Sequence, residues 1–494
     1  MIFKKVALIL YVLLNIVLGF ALGWLISFGF LNLDNQFLII LVSGFSVMIH
    51  GVIAFLIVQK RKQKNSLIKI FFSIQLGIVI LIAGLYGSQV FTFQNKPMLI
   101  SNYEKSFTKL WKAMDRAYPY FELKNVNWDE MYAIYYPKVQ LVSDEQEYFE
   151  IIALMLAELE DGHTNVVLPS LDKRIFASVR TSGDLAIIDQ IGYSAEMAGL
   201  RPGDLILELN GKSIEEIIPS IDISNKSAST PWARKLRAIN QLLAVPDDEN
   251  TVLVVTVLDQ TGQEKEIELK RLDVPSGWSS AFNAESIQAV AWEELTDEIG
   301  YIRIDRLWNQ QEDIVQEFDV ALDALLHKEG IILDLRQNGG GDSRIAEKIA
   351  GRFLDETFIY GQDVFQQRLF KFAWRKSVNY SVKPRGEIYP GKLVVLTDYP
   401  VMSSAEWLVG SLVDSGRAIA VGRTTGGATG NPIQFLLPGG VVRYSTASFY
   451  RPDGRIVEGQ GYTPDIAVDW TITDYIKRID PDIQAAISWI EQQE

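Results

Sequence analysis

Cysteine is absent from the 494-residue chain. That excludes disulfides, a thiol nucleophile and any thiolate metal site. Histidine is scarce, with only His50, His163 and His327, so a clustered-histidine metal centre is not supported. No Gly-x-x-x-x-Gly-Lys-Ser/Thr run occurs, which removes the phosphate-cradling P-loop from consideration. Nor is there an excess of basic residues. The formal charge is −14, and an acidic body repels the phosphates of nucleic acid, so no nucleic-acid partner is expected. No internal repeat or low-complexity tract is visible. The length exceeds what one core normally holds and suggests several domains.

The charge that is present is unevenly spread. Residues 1–96 hold Lys4, Lys5, Lys60, Arg61, Lys62, Lys64, Lys69 and Lys96 against the single acid Asp34. The same stretch contains three apolar runs, Val6–Phe30, Phe37–Val58 and roughly Ile70–Val90. Each reaches the roughly 20 residues that cross the hydrocarbon layer as a helix. The first run is too long for a signal-peptide core, and two more follow it. Basic residues before the first run and in the second loop place both in the cytoplasm. Three crossings would then put everything after about Phe91 outside. The expectation is a multi-pass cell-membrane anchor over 1–96, with the lipid bilayer as a partner. His50 falls inside the second run, with no intramembrane charge to work with.

The remainder divides into three stretches. Residues 97–168 read as helical, with apolar spacings of three and four over Ser101–Arg116 and Asp144–Leu159. The second ends at Asp161-Gly162-His163, where glycine suits a helix stop. Residues 169–273 read as β, with strands at Ala186–Ile191, Leu205–Leu209, Thr251–Val257 and Lys265–Arg271. Within this stretch, 216–250 reads as an insertion and Ser224–Pro231 as a flexible loop. Residues 274–494 alternate strand and helix: Gly300–Ile304, Glu312–Leu326, Gly330–Leu335, Ser343–Leu354, Lys392–Thr397, Ser403–Ser415 and Ala418–Val421.

Three strand-to-loop junctions carry chemistry. Leu333-Asp334-Leu335-Arg336-Gln337-Asn338-Gly339-Gly340-Gly341 runs a strand into three glycines, which suits either a tight turn or backbone donors aimed at an oxyanion. Ser403-Ser404-Ala405-Glu406 opens a helix. There Ser403 suits a cap, with Glu406 completing a capping box, or a nucleophile beside free backbone amides; pattern alone favours the cap. Glu458 lies in the glycine-rich loop Glu458-Gly459-Gln460-Gly461 and, read alone, is a solvated acid.

The run Ser194-Ala195-Glu196-Met197-Ala198-Gly199-Leu200-Arg201-Pro202-Gly203-Asp204, followed by Asn210-Gly211, resembles the PDZ signature of peptidases; the alternative is a plain β spacer. Together with Asp161-Gly162-His163, the 334–341 run, Ser403–Glu406, Asp414-x-Gly416-Arg417-Ala418, Gly422-x-Thr424-x-Gly426 and Glu458-Gly459-x-Gly461-x-x-Pro464-Asp465, it resembles the tail-specific, or C-terminal-processing, serine peptidase family. The branch most similar is that of the tricorn protease core. The expected fold is multi-domain: transmembrane helices and a helical segment from the patterns above, followed by the PDZ-like β domain and crotonase-like α/β catalytic domain that the resemblance, over roughly residues 100–470, implies. It implies Ser403 as nucleophile, His163 as base and Glu458 as the group orienting the imidazole. Oxyanion donors would come from Gly339, Gly340 and Ser404. The family's Ser–Lys dyad has no counterpart, since Ala428 stands at the lysine's place. Asp414 would be structural and His327 a surface residue. Protein or peptide substrates are implied, and no metal or organic cofactor. The rival readings are a catalytically inactive peptide-binding membrane protein and a membrane sensor or transporter with an outer peptide-binding domain.

Overall fold

A run of four or five consecutive apolar residues, recurring between helices, is the mark of strands covered on both faces. In the computed structural model, which describes residues 103–167, 173–224, 226–246, 251–270, 272, 288–310, 312–369 and 372–492, these runs assemble into a six-stranded sheet. Its order is Val290–Glu294, Ile299–Ile304, Gly330–Asp334, Lys392–Thr397, Ile419–Gly422 and Ile466–Ala467. The first pair is antiparallel and all later pairs are parallel. Alternate residues of the two central strands face opposite cores. Ile331, Leu333, Leu393 and Val395 join helices Ile314–Leu325, Ser343–Ala350 and Ser404–Val413, while Ile332, Val394 and Leu396 meet Ala486 and Ile490 of helix Pro481–Gln492.

The helices Tyr103–Ala117, Trp128–Val139 and Glu145–Ala157 do not form a core of their own. Phe107, Leu110, Tyr148 and Ile152 bury against Leu437, Val442 and Tyr444 from a distant hairpin. Strand Asn165–Val167 pairs antiparallel with Gly440–Tyr444 of the same hairpin. That pairing anchors the chain immediately after His163.

The β stretch forms an antiparallel sheet in the order Ala177–Ser182, Leu185–Ile191, Leu205–Leu209, Val252–Leu258, Glu264–Lys270. The short helix Tyr193–Ala198 stops at Gly199, whose φ of 101° is open to glycine at little cost. The following turn is closed by Asp204, which accepts the Arg201 N–H at 2.8 Å.

Several expectations need revision. The transmembrane helices expected over 1–96 lie outside the described residues, as does His50. Among the described residues no helix is long and apolar enough to cross a membrane. The longest, Tyr103–Ala117, has 15 residues and buries only one face. The expected fold class is corrected accordingly: what the structure supports is a mixed helix-and-sheet body. Part of the stretch expected as a flexible loop is tucked inside. Ser227, Ser229 and Thr230 are buried, and Thr230 caps a helix at Pro231–Ile239 by accepting the Ala233 N–H. Helix Trp128–Val139, inside the stretch expected to be helical, carries Pro137 near its end. The long hairpin Phe358–Leu369 and Phe372–Val382 was likewise not foreseen.

Candidate active site

Ser403 stands where the turn after strand Lys392–Thr397 enters helix Ser404–Val413. Its φ of 59° and ψ of −131° are costly for a residue with a Cβ, by about 1–3 kcal/mol. The surroundings hold it there. Its N–H is shared between Ala428 O at 2.9 Å and Glu406 Oε2 at 3.2 Å. Glu406, fully buried, also accepts from Thr425 Oγ1 at 2.5 Å, Gly427 N at 2.8 Å and Ala428 N at 3.0 Å. Burial pushes this carboxyl up to about 7 against those donors. Ser403 and Glu406 keep the capping-box arrangement read from the sequence, with Glu406 Oε2 accepting the Ser403 N–H. A strained serine at a strand-to-helix turn presents its hydroxyl as a nucleophile needs.

The glycine-rich loop packs directly on this turn. A Cβ on Gly340 would lie 2.6 Å from Met402 O, 2.9 Å from Ser403 Cβ and 3.0 Å from Ser404 N, so only glycine fits. Asn338 organises the loop. Its Nδ2 donates to Ile304 O at 2.8 Å, its Oδ1 accepts from Gly340 N at 2.9 Å, and its carbonyl accepts from Met402 N at 3.2 Å. Of the three donors expected for an oxyanion, Gly340 N–H is therefore engaged by Asn338. Gly339 faces open space, with nothing within 4 Å of its Cβ position. Ser404 opens the helix, where a backbone N–H has no intrahelical partner.

His163 follows the helix Glu145–Ala157 through a turn built on Asp161. That carboxylate accepts His163 N at 2.9 Å and the Thr164 hydroxyl at 2.6 Å. The ring is 8 % exposed and its Nδ1 is buried without a partner. Burial pushes the imidazole down to about 4; Asp161 pulls it up, and Arg443 and Arg237 press it further down. It is thus neutral at neutral pH, the form that can take a proton.

Glu458 is not the solvated acid that pattern alone suggests; it is 1 % exposed. Lys124 Nζ pairs with its Oε1 at 2.9 Å, and Thr429 N donates to Oε2 at 3.3 Å. Burial and the Asp161 charge push its carboxyl up to about 8, against the pull of Lys124.

One loop, 425–429, touches all three segments. Ala428 O accepts from Ser403 N, a Cβ on Gly162 would lie 3.2 Å from Ala428 Cβ, and Thr429 N reaches Glu458. No hydrogen bond joins the His163 ring to Ser403 or to Glu458 in this structure. Asp414 pairs with Arg451, and His327 is exposed. Among the described residues no group of acids and histidines could hold a metal ion. Sequence reasoning missed Lys124, Ser229 and the fourfold role of Glu406. Lys124 has no sequence signal, whereas Glu406 was visible as a capping-box partner.

Residues 298–468 match the model of peptidase family S41, and residues 101–157 match the tricorn protease C1 domain. A probable CtpA-like serine protease of Staphylococcus aureus (strain COL) is 27% identical over 335 residues, covering 64% of this chain and 58% of the relative. The chain thus spans less than two thirds of that relative's length. A carboxyl-terminal-processing protease of Picosynechococcus is 25% identical over 431 residues, covering 82% and 93%. The structure of mature CPAF complexed with lactacystin superposes with a TM-score of 0.61 at 14% identity, over 80% of this chain and 97% of that one, which shows a shared fold.

Proposed function

We propose that this chain, whose residues 298–468 match peptidase family S41, is a serine peptidase cleaving proteins or peptides through an acyl-enzyme. The observation that carries the reading is the strained Ser403, packed against Gly340 of the glycine-rich loop and next to the first amide of a helix. Ser403 Oγ attacks the scissile carbonyl and gives its proton to the His163 imidazole. The oxyanion formed is met by the N–H groups of Ser404 and Gly339. The imidazolium returns the proton to the leaving amine as the C–N bond breaks. Water then attacks the ester, restoring Ser403 and releasing the new carboxyl end. Catalytic hydrogen bonds often tighten only once substrate is bound, and His163 closes on Ser403 at that stage.

The β sheet supports an extended peptide as substrate. Its strand Ala177–Ser182 ends the sheet order, paired with Leu185–Ile191, and strand addition at a sheet edge is how PDZ modules take a peptide; Gln337 Nε2 already donates to Thr181 O of this strand at 3.0 Å. Cleavage close to a C-terminal tail fits that arrangement. Location at the cell membrane, with the catalytic body outside the cytoplasm, is supported by the basic residues of 1–96 against the acidic remainder. Added protease should then degrade the catalytic body in intact cells; degradation only after lysis reverses that placement.

The test of activity is hydrolysis of an unfolded protein by the full chain beside Ser403→Ala and His163→Ala. Cleavage by wild type and loss in both variants is expected. No cleavage by wild type, with an extended peptide still bound, favours the catalytically inactive peptide-binding reading.

A further inference from the structure

Val179, Ile188, Ile206 and Val255 of the β stretch turn into that sheet's own core. Their neighbours Arg180, Ile187 and Leu205 therefore lie on its other face, where Arg180 stands opposite Ile187. Tyr475, from the short helix Ile472–Lys477, packs on this face and donates its hydroxyl to Gly203 O at 2.6 Å and Leu258 O at 3.1 Å. A cavity of about 300 Å³ remains between the sheet and the segment around that helix, walled by Arg180, Ser182, Ile187, Trp470, Arg478 and Ile479. We propose that this cavity binds a small organic carboxylate on an apolar body, at a site separate from the peptidase centre and independent of that reading.

The cations of the cavity are available and its acids are not. Arg180 meets only the Ser182 hydroxyl, at 3.5 Å, the far limit of a hydrogen bond, and among the described residues it forms no ion pair. Burial presses its pKa down; Asp189 and Asp398 attract it from beyond ion-pair distance, while Arg336 and Arg303 repel it. Arg478 gives one N–H to Gln260 O at 2.9 Å, out of the five a guanidinium carries. Asp474 accepts the Thr471 N–H at 2.9 Å and its hydroxyl at 2.6 Å, and Asp480 pairs with Arg336 at 2.8 Å. A guanidinium short of both water and a partner calls for an anion, and its planar fork matches a carboxylate. The other walls are apolar. Ile187 is buried, Ile479 leaves 40% of its surface exposed, and Trp470 is fixed by its Nε1 bond to Asp482 at 3.1 Å. They favour a carboxylate carried on a ring or branched chain over bare phosphate. The volume stands at the low end for small-molecule sites and is too small for a length of peptide. A peptide added as a strand would follow the edge of Ala177–Ser182, not this face.

The experiment titrates the full chain with benzoate, benzamide and inorganic phosphate, read by calorimetry and by the shift in thermal unfolding. Benzoate should bind with a Kd of about 1 mM or tighter and raise the unfolding midpoint. Benzamide, which lacks the charge, and phosphate, which lacks the apolar body, should each bind at least about tenfold more weakly. Arg180→Met should weaken benzoate by about 10- to 100-fold, the loss of a charge-assisted hydrogen-bonding partner. Arg455→Gln, at an exposed arginine paired with Asp453, should leave benzoate binding as in wild type. Ile479→Glu places a carboxylate at the exposed mouth and should also weaken benzoate. No binding of benzoate up to about 20 mM overturns the proposal, and so does equal affinity for benzamide or phosphate. Undiminished binding by a folded Arg180→Met overturns it, as does an equal loss in Arg455→Gln. If Arg180→Met unfolds, undiminished binding by Ile479→Glu decides against it.

Discussion

Replacing Glu406 by glutamine should cost both stability and reactivity, although the two side chains have almost the same shape. The Glu406 oxygens take four donors, two each: Thr425 Oγ1 and Gly427 N on one, Ala428 N and Ser403 N on the other. Glutamine keeps one acceptor oxygen and turns an NH2 toward the other two donors. Ser403 N–H keeps Ala428 O and the Thr425 hydroxyl can turn to accept, so one buried N–H, of Gly427 or of Ala428, is left facing a donor, at about 1–3 kcal/mol. That loss is read as a lower midpoint in urea or heat. If the NH2 takes the Oε2 place, Ser403 also loses a hold on its φ of 59° and relaxes away from the Gly340 loop. Labelling by a fluorophosphonate, which reports an activated serine, should slow at least about tenfold at a temperature where the variant is still folded. A Glu406→Gln protein that melts with wild type and labels at the wild-type rate would refute this account of how Ser403 is held.

Gly340→Ala should abolish labelling, because its Cβ would sit 2.6 Å from Met402 O in a backbone with φ of 90°; normal labelling would mean that the loop is not packed on Ser403 as described. Stability should depend on the protonation of His163 in a defined window. Its pKa falls from 6.5 unfolded to about 4 folded, so the unfolded chain binds the proton first, and stability present above pH 6.5 is lost as pH falls toward 4. The contribution is about 3 kcal/mol. Urea midpoints of wild type and His163→Asn should diverge over that window, and parallel curves would contradict the burial argument. Glu458 works in the opposite sense. Its pKa rises from 4.5 to about 8, so its contribution is present below pH 4.5 and lost as pH rises through 8. Glu458→Gln should therefore show a flatter decline in stability between pH 4.5 and 8 than wild type.

Much of the catalytic body could be read from the sequence because its strands are uninterrupted apolar runs. Gly330–Asp334 and Lys392–Thr397 appear within a residue of where periodicity puts them. Ser403 was legible as a helix start but not as a strained residue, since backbone strain has no sequence signature outside its context. Glu458 looked like a loop acid because loop composition does not report burial. Ser227, Ser229 and Thr230 failed in the same way. Small polar residues without periodicity look solvated, and these are buried only because Leu156, Gly162 and Gly426, far away in sequence, offer them partners. Lys124 was invisible for the same reason: its partner is Glu458, from the other end of the chain. The helices after residue 103 read as a separate segment, yet their core is completed by Leu437, Val442 and Tyr444.

The central claim is that Ser403 is a nucleophile activated by its surroundings. Its most direct test is to label the full chain with a fluorophosphonate and locate the adduct by mass spectrometry of the digested protein. The account predicts one adduct, on Ser403, formed in wild type, absent from Ser403→Ala and strongly slowed in His163→Ala. An adduct on another residue, or equal labelling of all three proteins, would contradict it.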